Sequence, residues 1–174
     1  MDNESPYLPS ELTNLGIYLM NRYFRTSNRK DIEEAIVNFR QAVSLTDSNL
    51  PDLARHLNNI GNDLSNRYSQ TGNLKDLEEA IDNYQHAVSF IDSNSPHLPG
   101  VLDNLGNSLS DLYSHTDNLK DLEEAIHNYQ HAVSLIDSNS LDFLSRLNNL
   151  SNRLRNRYSR TGDVKDLEKA IDNC

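Results

Sequence analysis

Apolar residues recur along this chain at intervals of three, four and seven, the spacing that places side chains on one face of an α-helix. One such stripe consists of Leu53, Leu57, Ile60, Leu64 and Tyr68, and a second runs from Leu74 to Ile91. Neither stripe shows the alternation of polar and apolar residues typical of a strand. The pattern therefore predicts an all-α chain with helices near residues 8–25, 30–46, 52–70, 74–91, 97–115, 119–136, 142–160 and 164–174.

The whole pattern repeats every 45 residues without a gap. Residues 51–95 and 96–140 are identical at 32 of 45 positions, and the segment 73–81 recurs letter for letter at 118–126. A fixed period of this length is typical of arrays in which each unit buries its apolar face against its neighbours. We therefore expect one array over residues 1–174, with repeats at about 6–50, 51–95 and 96–140 and an incomplete repeat at 141–174.

Each repeat contains signals for two helices joined by a turn. Pro51 and the Ser95–Pro96 pair favour the starts of first helices, because proline in the first turn needs no intrahelical acceptor. Gly72 favours a left-handed residue after the first helix, and Asn73 with Asp76 resembles a capping box for the second. These signals predict two antiparallel helices in every repeat.

Two further positions recur in the first helices. A small residue lies in the middle of each, at Gly16, Gly61, Gly106 and Ser151. Glycine costs about 1 kcal/mol there relative to alanine in an exposed helix, so we expect a neighbouring helix to approach closely at this point. Tyrosines recur at the ends of the first helices, and we expect this ladder to pack in the core: Tyr23, Tyr68, Tyr113 and Tyr158.

Composition narrows the classes of partner. Sixteen basic and 26 acidic residues give a net charge of −10, which repels phosphate backbones and anionic lipids, so neither nucleic acid nor a membrane is expected as a partner. No apolar run approaches the roughly 20 residues of a membrane-spanning helix, and the acidic N-terminus is unlike a signal peptide. Cys174 is the single cysteine. The absence of a disulfide framework favours a reducing, cytoplasmic setting.

The arrangement within a repeat resembles the tetratricopeptide repeat family. The family's pattern of apolar, small and aromatic positions is matched by Leu57, Ile60, Gly61, Leu64, Ala80, Tyr84 and Ala87. The segments 59–62 (NIGN) and 104–107 (NLGN) are similar to the family's Asn-Leu-Gly-Asn phrase. The resemblance implies a right-handed α-solenoid of antiparallel helix pairs.

The repeats also depart from the usual tetratricopeptide unit. The unit is longer than the family's usual length of about 34 residues, with the additions in the first helix, the turn and the linker. The usual proline after the second helix is displaced to Pro51 and Pro96. This extended unit, with its LNNLGN and DLEEAI phrases, resembles repeats found beside caspase-like (CHAT) or nucleotide-binding signalling domains in fungal proteins.

In this family the first helices line a concave groove, where asparagine side chains hold an extended partner peptide by its backbone. A primary amide suits this role, because it offers donors and acceptors to both backbone N–H and C=O groups. Carried over residue by residue, the resemblance implies these candidate groove residues: Asn14, Arg55, Asn58, Asn59, Asn62, Asn66, Asp103, Asn104, Asn107, Asp111, Asn148, Asn149, Asn152, Arg155 and Asn156.

A structural interpretation competes with this one. Asn59 and its equivalents could bond between adjacent helices and stabilise the stack, since polar groups in packed interfaces need partners. Asn58, Asn62 and Asn66 lie on the more open side of the stripe and are better candidates for ligand contact. The family's receptors for acidic C-terminal tails use lysines and arginines on this face. No candidate groove residue is lysine, so a receptor of that kind is not favoured.

No catalytic or metal-binding motif stands out. His127 and His131 lie four residues apart, but a metal site needs three or four ligands, so we expect neither a metal nor another cofactor. The chain has no phosphate-binding glycine loop, nucleophile elbow or zinc-protease helix, so it is not expected to be an enzyme. The leading hypothesis is a protein-interaction scaffold for a peptide or protein partner. The alternatives are a self-associating sensor or spacer in a larger signalling protein, and a segment serving an enzyme encoded elsewhere in that protein.

The last repeat raises a question of assembly. By the period its second helix would extend to about residue 181, yet the sequence ends at Cys174, and we expect a fragment of a longer array or multidomain protein. Val164, Leu167, Ala170 and Ile171 would then be uncovered, and exposed apolar residues favour association. An end-to-end homodimer through an isologous contact near residues 142–174 is the resulting prediction.

Overall fold

A computed structural model describes residues 7–47 and 51–172, except for the side chain of Pro51. Within these ranges all regular secondary structure is helical. The eight helices are α1 (Leu8–Thr26), α2 (Arg29–Leu45), α3 (Pro51–Thr71), α4 (Leu74–Phe90), α5 (Leu98–Thr116), α6 (Leu119–Ser134), α7 (Phe143–Thr161) and α8 (Val164–Asp172). Their bounds agree with the predicted ones to within two residues, which is the usual uncertainty of a helix end. The predicted end of the last helix at residue 174 lies outside the described residues.

The turn within each repeat is made by one left-handed residue. Gly72 and Gly162 have φ angles of 67° and 73°, and Ser27 and Asp117 take the same role at 53° and 56°. In each case the backbone N–H donates to the carbonyl of the ladder tyrosine four residues earlier, for example Gly72 to Tyr68 at 2.7 Å. The left-handed turn predicted at Gly72 is confirmed, and it closes all four first helices.

The second helices α2, α4 and α6 are capped by asparagine, but without the predicted reciprocal bond. The Asn73 side chain accepts a hydrogen bond from the Lys75 N–H at 3.2 Å, as an N-cap should. Asp76 does not reach back to the Asn73 backbone. Its carboxylate instead accepts from the Asn73 side-chain amide and from Arg67, because the guanidinium offers two charge-assisted bonds.

The predicted start of α5 at residue 97 is one residue early, and the predicted cap by Ser95 with Pro96 in the first turn is wrong. The helix begins at Leu98, and its N-cap residue His97 makes no side-chain capping bond. The Ser95 hydroxyl accepts from the His97 N–H at 3.3 Å, which forms a local turn before the helix. Pro99 then occupies the first helical turn, where its missing N–H is harmless.

The helices group into two compact units, one extending to Ile91 and one beginning at Asp92. In the N-terminal unit α1 packs on α2, α2 on α3 and α3 on α4; in the C-terminal unit α5 to α8 pack in the same serial order. Each unit buries leucine, isoleucine and alanine from both helices of its repeats. No helix in the described ranges has the length and apolar character needed to cross a membrane.

The small residues of the first helices allow an aromatic ring to approach closely. A Cβ atom added at Gly61 would lie 2.6 Å from the Tyr84 ring, and one at Gly106 would lie 3.0 Å from the Tyr129 ring. The predicted close approach is confirmed, and its partner is an aromatic side chain of the second helix. The buried aromatic ladder is therefore Phe39, Tyr84 and Tyr129.

The predicted tyrosine ladder is only partly in the core. Tyr23 is buried, whereas Tyr68, Tyr113 and Tyr158 are half-buried. All four lie in the last turn of a first helix.

Candidate partner-binding face

All fifteen candidate groove residues keep solvent-accessible surface. Seven are exposed and the others are half-buried; the exposed ones are Asn14, Arg55, Asn107, Asp111, Asn148, Arg155 and Asn156. They lie on the first helices α1, α3, α5 and α7, as the resemblance implied. In each unit they provide a polar stripe that a partner could contact.

Two of these asparagines have a structural role. Tyr84 is buried, and its hydroxyl donates to Asn62 Oδ1 at 2.8 Å. Tyr129 donates in the same way to Asn107 Oδ1 at 2.7 Å. Burial raises the pKa of both phenols, to about 12 for Tyr129, so both hydroxyls stay protonated and act as donors. Asn62 and Asn107 therefore satisfy buried hydroxyl groups that would otherwise cost free energy.

The first repeat shows the same arrangement without polar groups. Ile17 replaces the asparagine and Phe39 replaces the tyrosine, so neither the acceptor nor the donor is present. The ring of Phe39 still lies against Gly16, at 2.6 Å from a Cβ added there. Because both members of the pair change together, the hydrogen bond belongs to the packing of the helix pair.

Three other groove asparagines have no such structural role. Asn66, Asn152 and Asn156 make no side-chain hydrogen bond to any residue within the described ranges. Each retains two amide donors and a carbonyl acceptor at or near the surface. These three side chains can contact a partner without breaking an internal bond.

Acidic and basic side chains pair at the α5–α7 contact of the C-terminal unit. Arg146 Nε lies 2.5 Å from Asp103 Oδ2, and Arg160 pairs with Asp117. Burial raises the pKa of Asp103 more than Arg146 lowers it. Asp111 behaves similarly, since burial raises its pKa while nearby Arg153 lowers it. The α5–α7 contact is thus a series of acid–base pairs, and this face does not present one sign of charge.

The N-terminal unit uses different polar groups at the same contact. His56 is buried on α3, and its Nδ1 lies 2.9 Å from Thr13 Oγ1 on α1. Burial lowers the pKa of His56, so the imidazole is held neutral. Asp63 is also buried on α3, and burial raises its pKa to about 8. Its Oδ2 has no hydrogen-bond partner within the described ranges.

Sequence reasoning missed a recurring arginine–aspartate pair. Arg67 Nε and Nη2 donate to the two carboxylate oxygens of Asp76 at 2.8 and 2.7 Å, and Arg22–Asp31 and Arg157–Asp166 repeat this geometry. The arginine holds the pKa of Asp31 and of Asp166 below its ordinary value. The signal was an arginine nine residues before an aspartate in three of the four repeats.

The third repeat lacks this pair because Leu112 replaces the arginine. Asp121 then accepts from the Thr116 hydroxyl and the Asn118 amide, both at 3.1 Å. The turn of the third repeat therefore forms without the pair, so the fold does not require it there.

The histidines noted in the sequence lie on an exposed face of α6. His127 and His131 line a shallow surface depression with Gln130 and Ser134. Among the described residues, no group of three histidine, cysteine, aspartate or glutamate side chains converges in a way that could hold a metal ion.

Comparison with known proteins agrees with this architecture. The family model described as tetratricopeptide repeat matches residues 53–97 and 143–172. No curated protein matches the chain. The crystal structure of BtubC (BKLC) from P. vanneervenii is similar over 99% of this chain and 64% of its own, with 19% identity and a TM-score of 0.68, so the chain spans less than two thirds of that protein.

Two further solved structures have the same fold. The crystal structure of MamA matches with 18% identity and a TM-score of 0.63, over 97% of this chain and 80% of its own. The nearly identical TPR-like repeats of a Podosopora anserina protein match with 15% identity and a TM-score of 0.63, over 99% and 78%. At these identities the likeness concerns the fold alone. The chain is an all-α protein of tetratricopeptide-like repeats, an architecture that fits a general role in protein interaction.

Proposed function

We propose that this chain is a non-catalytic scaffold that binds a peptide or protein partner on the face formed by the first helix of each repeat. The observation that carries the proposal is the set of amides on this face, at Asn66, Asn152 and Asn156, that no hydrogen bond among the described residues uses. A primary amide pairs with both the N–H and the C=O of an extended backbone. The groove asparagines with structural duties, Asn62 and Asn107, are not needed for this role.

The charge arrangement favours a partner held by hydrogen bonds. Arg146 and Arg160 are paired with aspartates on the same face, so they do not attract a carboxylate-rich tail strongly. The chain's net charge of −10 also repels acidic partners. We infer that the partner is an extended segment of low negative charge, recognised mainly through its backbone.

The test uses a selected ligand, because no partner is known in advance. A random linear peptide library displayed on phage would be selected against the immobilised chain, and the affinity of the winning peptides measured by fluorescence anisotropy. The triple variant Asn66→Ala, Asn152→Ala and Asn156→Ala should weaken binding by at least about tenfold, equivalent to about 1.4 kcal/mol. Its melting temperature should stay close to that of the wild type.

A matched control removes amides from the second helices. Gln41 and Gln130 are exposed there, and the double variant Gln41→Ala, Gln130→Ala should bind the selected peptides as the wild type does. Equal weakening in both variants, or unchanged binding in the asparagine variant, would show that the first-helix face is not the binding site.

We further propose that the array serves as a sensor or spacer within a larger signalling protein. The support is the likeness of its DLEEAI phrases, at 76–81 and 121–126, to repeats found beside CHAT or nucleotide-binding domains. The full reading frame of the gene tests this idea. A frame that encodes no such domain beside the repeats would reject it.

A further inference from the structure

The groove face of the first repeat is apolar at two positions where the other repeats are polar. From the candidate groove residue Asn14, steps of three, four and three residues along α1 lead to Ile17, Asn21 and Phe24, on one face of the helix. These four residues form the α1 stripe. The counterparts of its two apolar members are asparagine and serine in every other repeat: Asn62, Asn107 and Asn152, and Ser69, Ser114 and Ser159.

Both apolar side chains of the α1 stripe are open to solvent. Ile17 is 42% and Phe24 is 63% exposed. The Phe24 position is also exposed where a helix pair precedes the first helix, at Ser69 after α1 and α2 and at Ser159 after α5 and α6. Asn62, the counterpart of Ile17, likewise keeps accessible surface on α3. A helix pair preceding α1 would therefore leave the α1 stripe accessible to a partner.

Packing within the repeat accounts for Ile17 but not for Phe24. Ile17 stands in the place of an asparagine opposite Phe39, which has no hydroxyl group to be accepted. The Phe24 ring lies beside that of the buried Tyr23, with ring centroids 5.6 Å apart, and still keeps 63% of its surface exposed. Phe24 thus offers a partner most of the apolar area of its ring.

The stripe carries no charge on either first helix of the N-terminal unit. Asn21 and Asn66 make no side-chain hydrogen bond to any described residue, so both amides are available to a partner's backbone. A charged side chain would lose water here without gaining an ion pair, whereas an apolar one gains free energy by leaving water. The α1 stripe therefore suits an apolar side chain on an extended backbone. Its uncharged counterparts on α3 are Asn59, Asn62, Asn66 and Ser69.

We propose that the partner segment carries one large apolar side chain, of the leucine, methionine or phenylalanine class, which packs against Ile17 and Phe24 while Asn21 bonds its backbone. The inference rests on the proposed function, because it adds a side-chain preference to the segment that the groove amides hold. Ile17 and Phe24 lie two helical turns apart, about 10 Å along the axis, which leaves room for one such side chain between them. The first repeat thereby selects the sequence of the partner.

Parallel peptide selections test this preference. One random phage library is selected against the wild type and against the converted variant Ile17→Asn, Phe24→Ser, Phe39→Tyr, which gives the first repeat the residues of the second. The Phe39→Tyr change supplies the hydroxyl that pairs with the new amide, as Tyr84 pairs with Asn62, so the helix pair should stay folded.

Peptides selected on the wild type should share a large apolar residue at one position, and those selected on the converted variant should not. Replacing that residue by alanine should weaken binding to the wild type by at least about tenfold. The same replacement should leave binding to the converted variant unchanged, which shows that the side chain and the α1 stripe act together. Phe24→Ser alone changes one exposed side chain and should also weaken binding of the wild-type peptides.

Tyr18→Ser is the matched control, since Tyr18 is 60% exposed on α1 but lies outside the α1 stripe. This variant should bind the wild-type peptides as the wild type does, and equal weakening in Tyr18→Ser and Phe24→Ser would overturn the proposal. Peptides without a shared apolar residue would also overturn it, as would an alanine replacement that weakens binding to wild type and converted variant alike.

The triple variant Asn66→Ala, Asn152→Ala, Asn156→Ala separates this inference from the proposed function. Weakened binding in the triple variant with unchanged binding in Phe24→Ser supports the groove amides and rejects the apolar site. Weakened binding in Phe24→Ser with unchanged binding in the triple variant supports the apolar site and rejects the amides. A selection that yields no binding peptide on the wild type rejects both.

Discussion

Burial of the Asp63 carboxyl group should make the stability of the N-terminal unit fall as pH rises. Asp63 is 3% exposed, its Oδ2 has no hydrogen-bond partner in the described ranges, and its pKa is raised to about 8. In the unfolded chain this carboxyl group releases its proton near the ordinary pKa of an aspartate, 3.8. Between these two values the folded state binds more protons, so the free energy of unfolding decreases with increasing pH.

The size of the effect follows from linkage. Each pH unit between the unfolded and folded pKa values changes the free energy of unfolding by up to about 1.36 kcal/mol. From pH 3.8 to neutrality the upper limit is about 4 kcal/mol. Water penetration and local relaxation around an ionised carboxylate reduce this limit, so we expect about 2–4 kcal/mol.

The variant Asp63→Asn isolates this contribution. An amide of the same shape does not titrate, although its buried donors cost about 1–3 kcal/mol at every pH. The measurement is urea unfolding of wild type and variant at several values between about pH 5 and about pH 8. Relative to the wild type, the variant should become steadily more stable as pH rises.

The comparison of the two proteins guards the interpretation. His56 has a lowered pKa and therefore adds stability as pH rises to about 6.5, but it is present in both proteins and cancels in the difference. A difference between wild type and Asp63→Asn that stays constant across the pH range would refute the reasoning.

Three further sets of substitutions test the packing, each by its effect on the free energy of unfolding. Gly61→Ala should lower the free energy of unfolding by about 1–3 kcal/mol, and by more than Gly106→Ala does, because its Cβ would lie closer to a buried ring. Gly100→Ala is the control and should not destabilise, since its Cβ would meet nothing within 4 Å. Asn62→Ala should cost about 1–3 kcal/mol by leaving the Tyr84 hydroxyl unpaired, whereas the double variant Asn62→Ile, Tyr84→Phe, which copies the first repeat, should cost much less. Arg67→Leu removes the partner of Asp76 and should cost about 2–4 kcal/mol, while Leu112→Arg should stabilise slightly by pairing with Asp121. An Arg67→Leu variant as stable as the wild type would contradict the role of the arginine–aspartate pair.

Most of the fold was predictable because helical periodicity and the 45-residue repeat depend only on sequence order. The stripe from Leu53 to Tyr68 places α3 to within one residue at each end. The glycine at position 61 marked a close contact, although the ring that makes it, Tyr84, lies 23 residues away on another helix. Contacts of that separation depend on how two helices pair, and a local pattern does not specify the pairing.

The candidate site was less predictable, because the sequence does not show which group the side chain of a helix-surface asparagine bonds. The sequence placed Asn62 and Asn66 on one stripe and favoured both as ligand contacts. The structure separates them, since only Asn62 receives the Tyr84 hydroxyl in the hydrogen bonds described. The position of that hydroxyl depends on the packing of α4 on α3, which no spacing within α3 reveals.

Comparison among the repeats offers a way to separate structural from partner-binding polar residues. Asn62–Tyr84 in the second repeat becomes Ile17–Phe39 in the first, so both partners of that packing contact change together, whereas the fourth repeat keeps Asn152 although Cys174 stands at the tyrosine position. The position of Asn66 is Asn21, Asp111 and Asn156 in the other repeats, polar in all four. Polarity at this position therefore does not follow the change from phenylalanine to tyrosine on the second helix. Both solvent exposure and the proposed partner account for it, and the binding affinity of the Asn66→Ala, Asn152→Ala, Asn156→Ala variant distinguishes them.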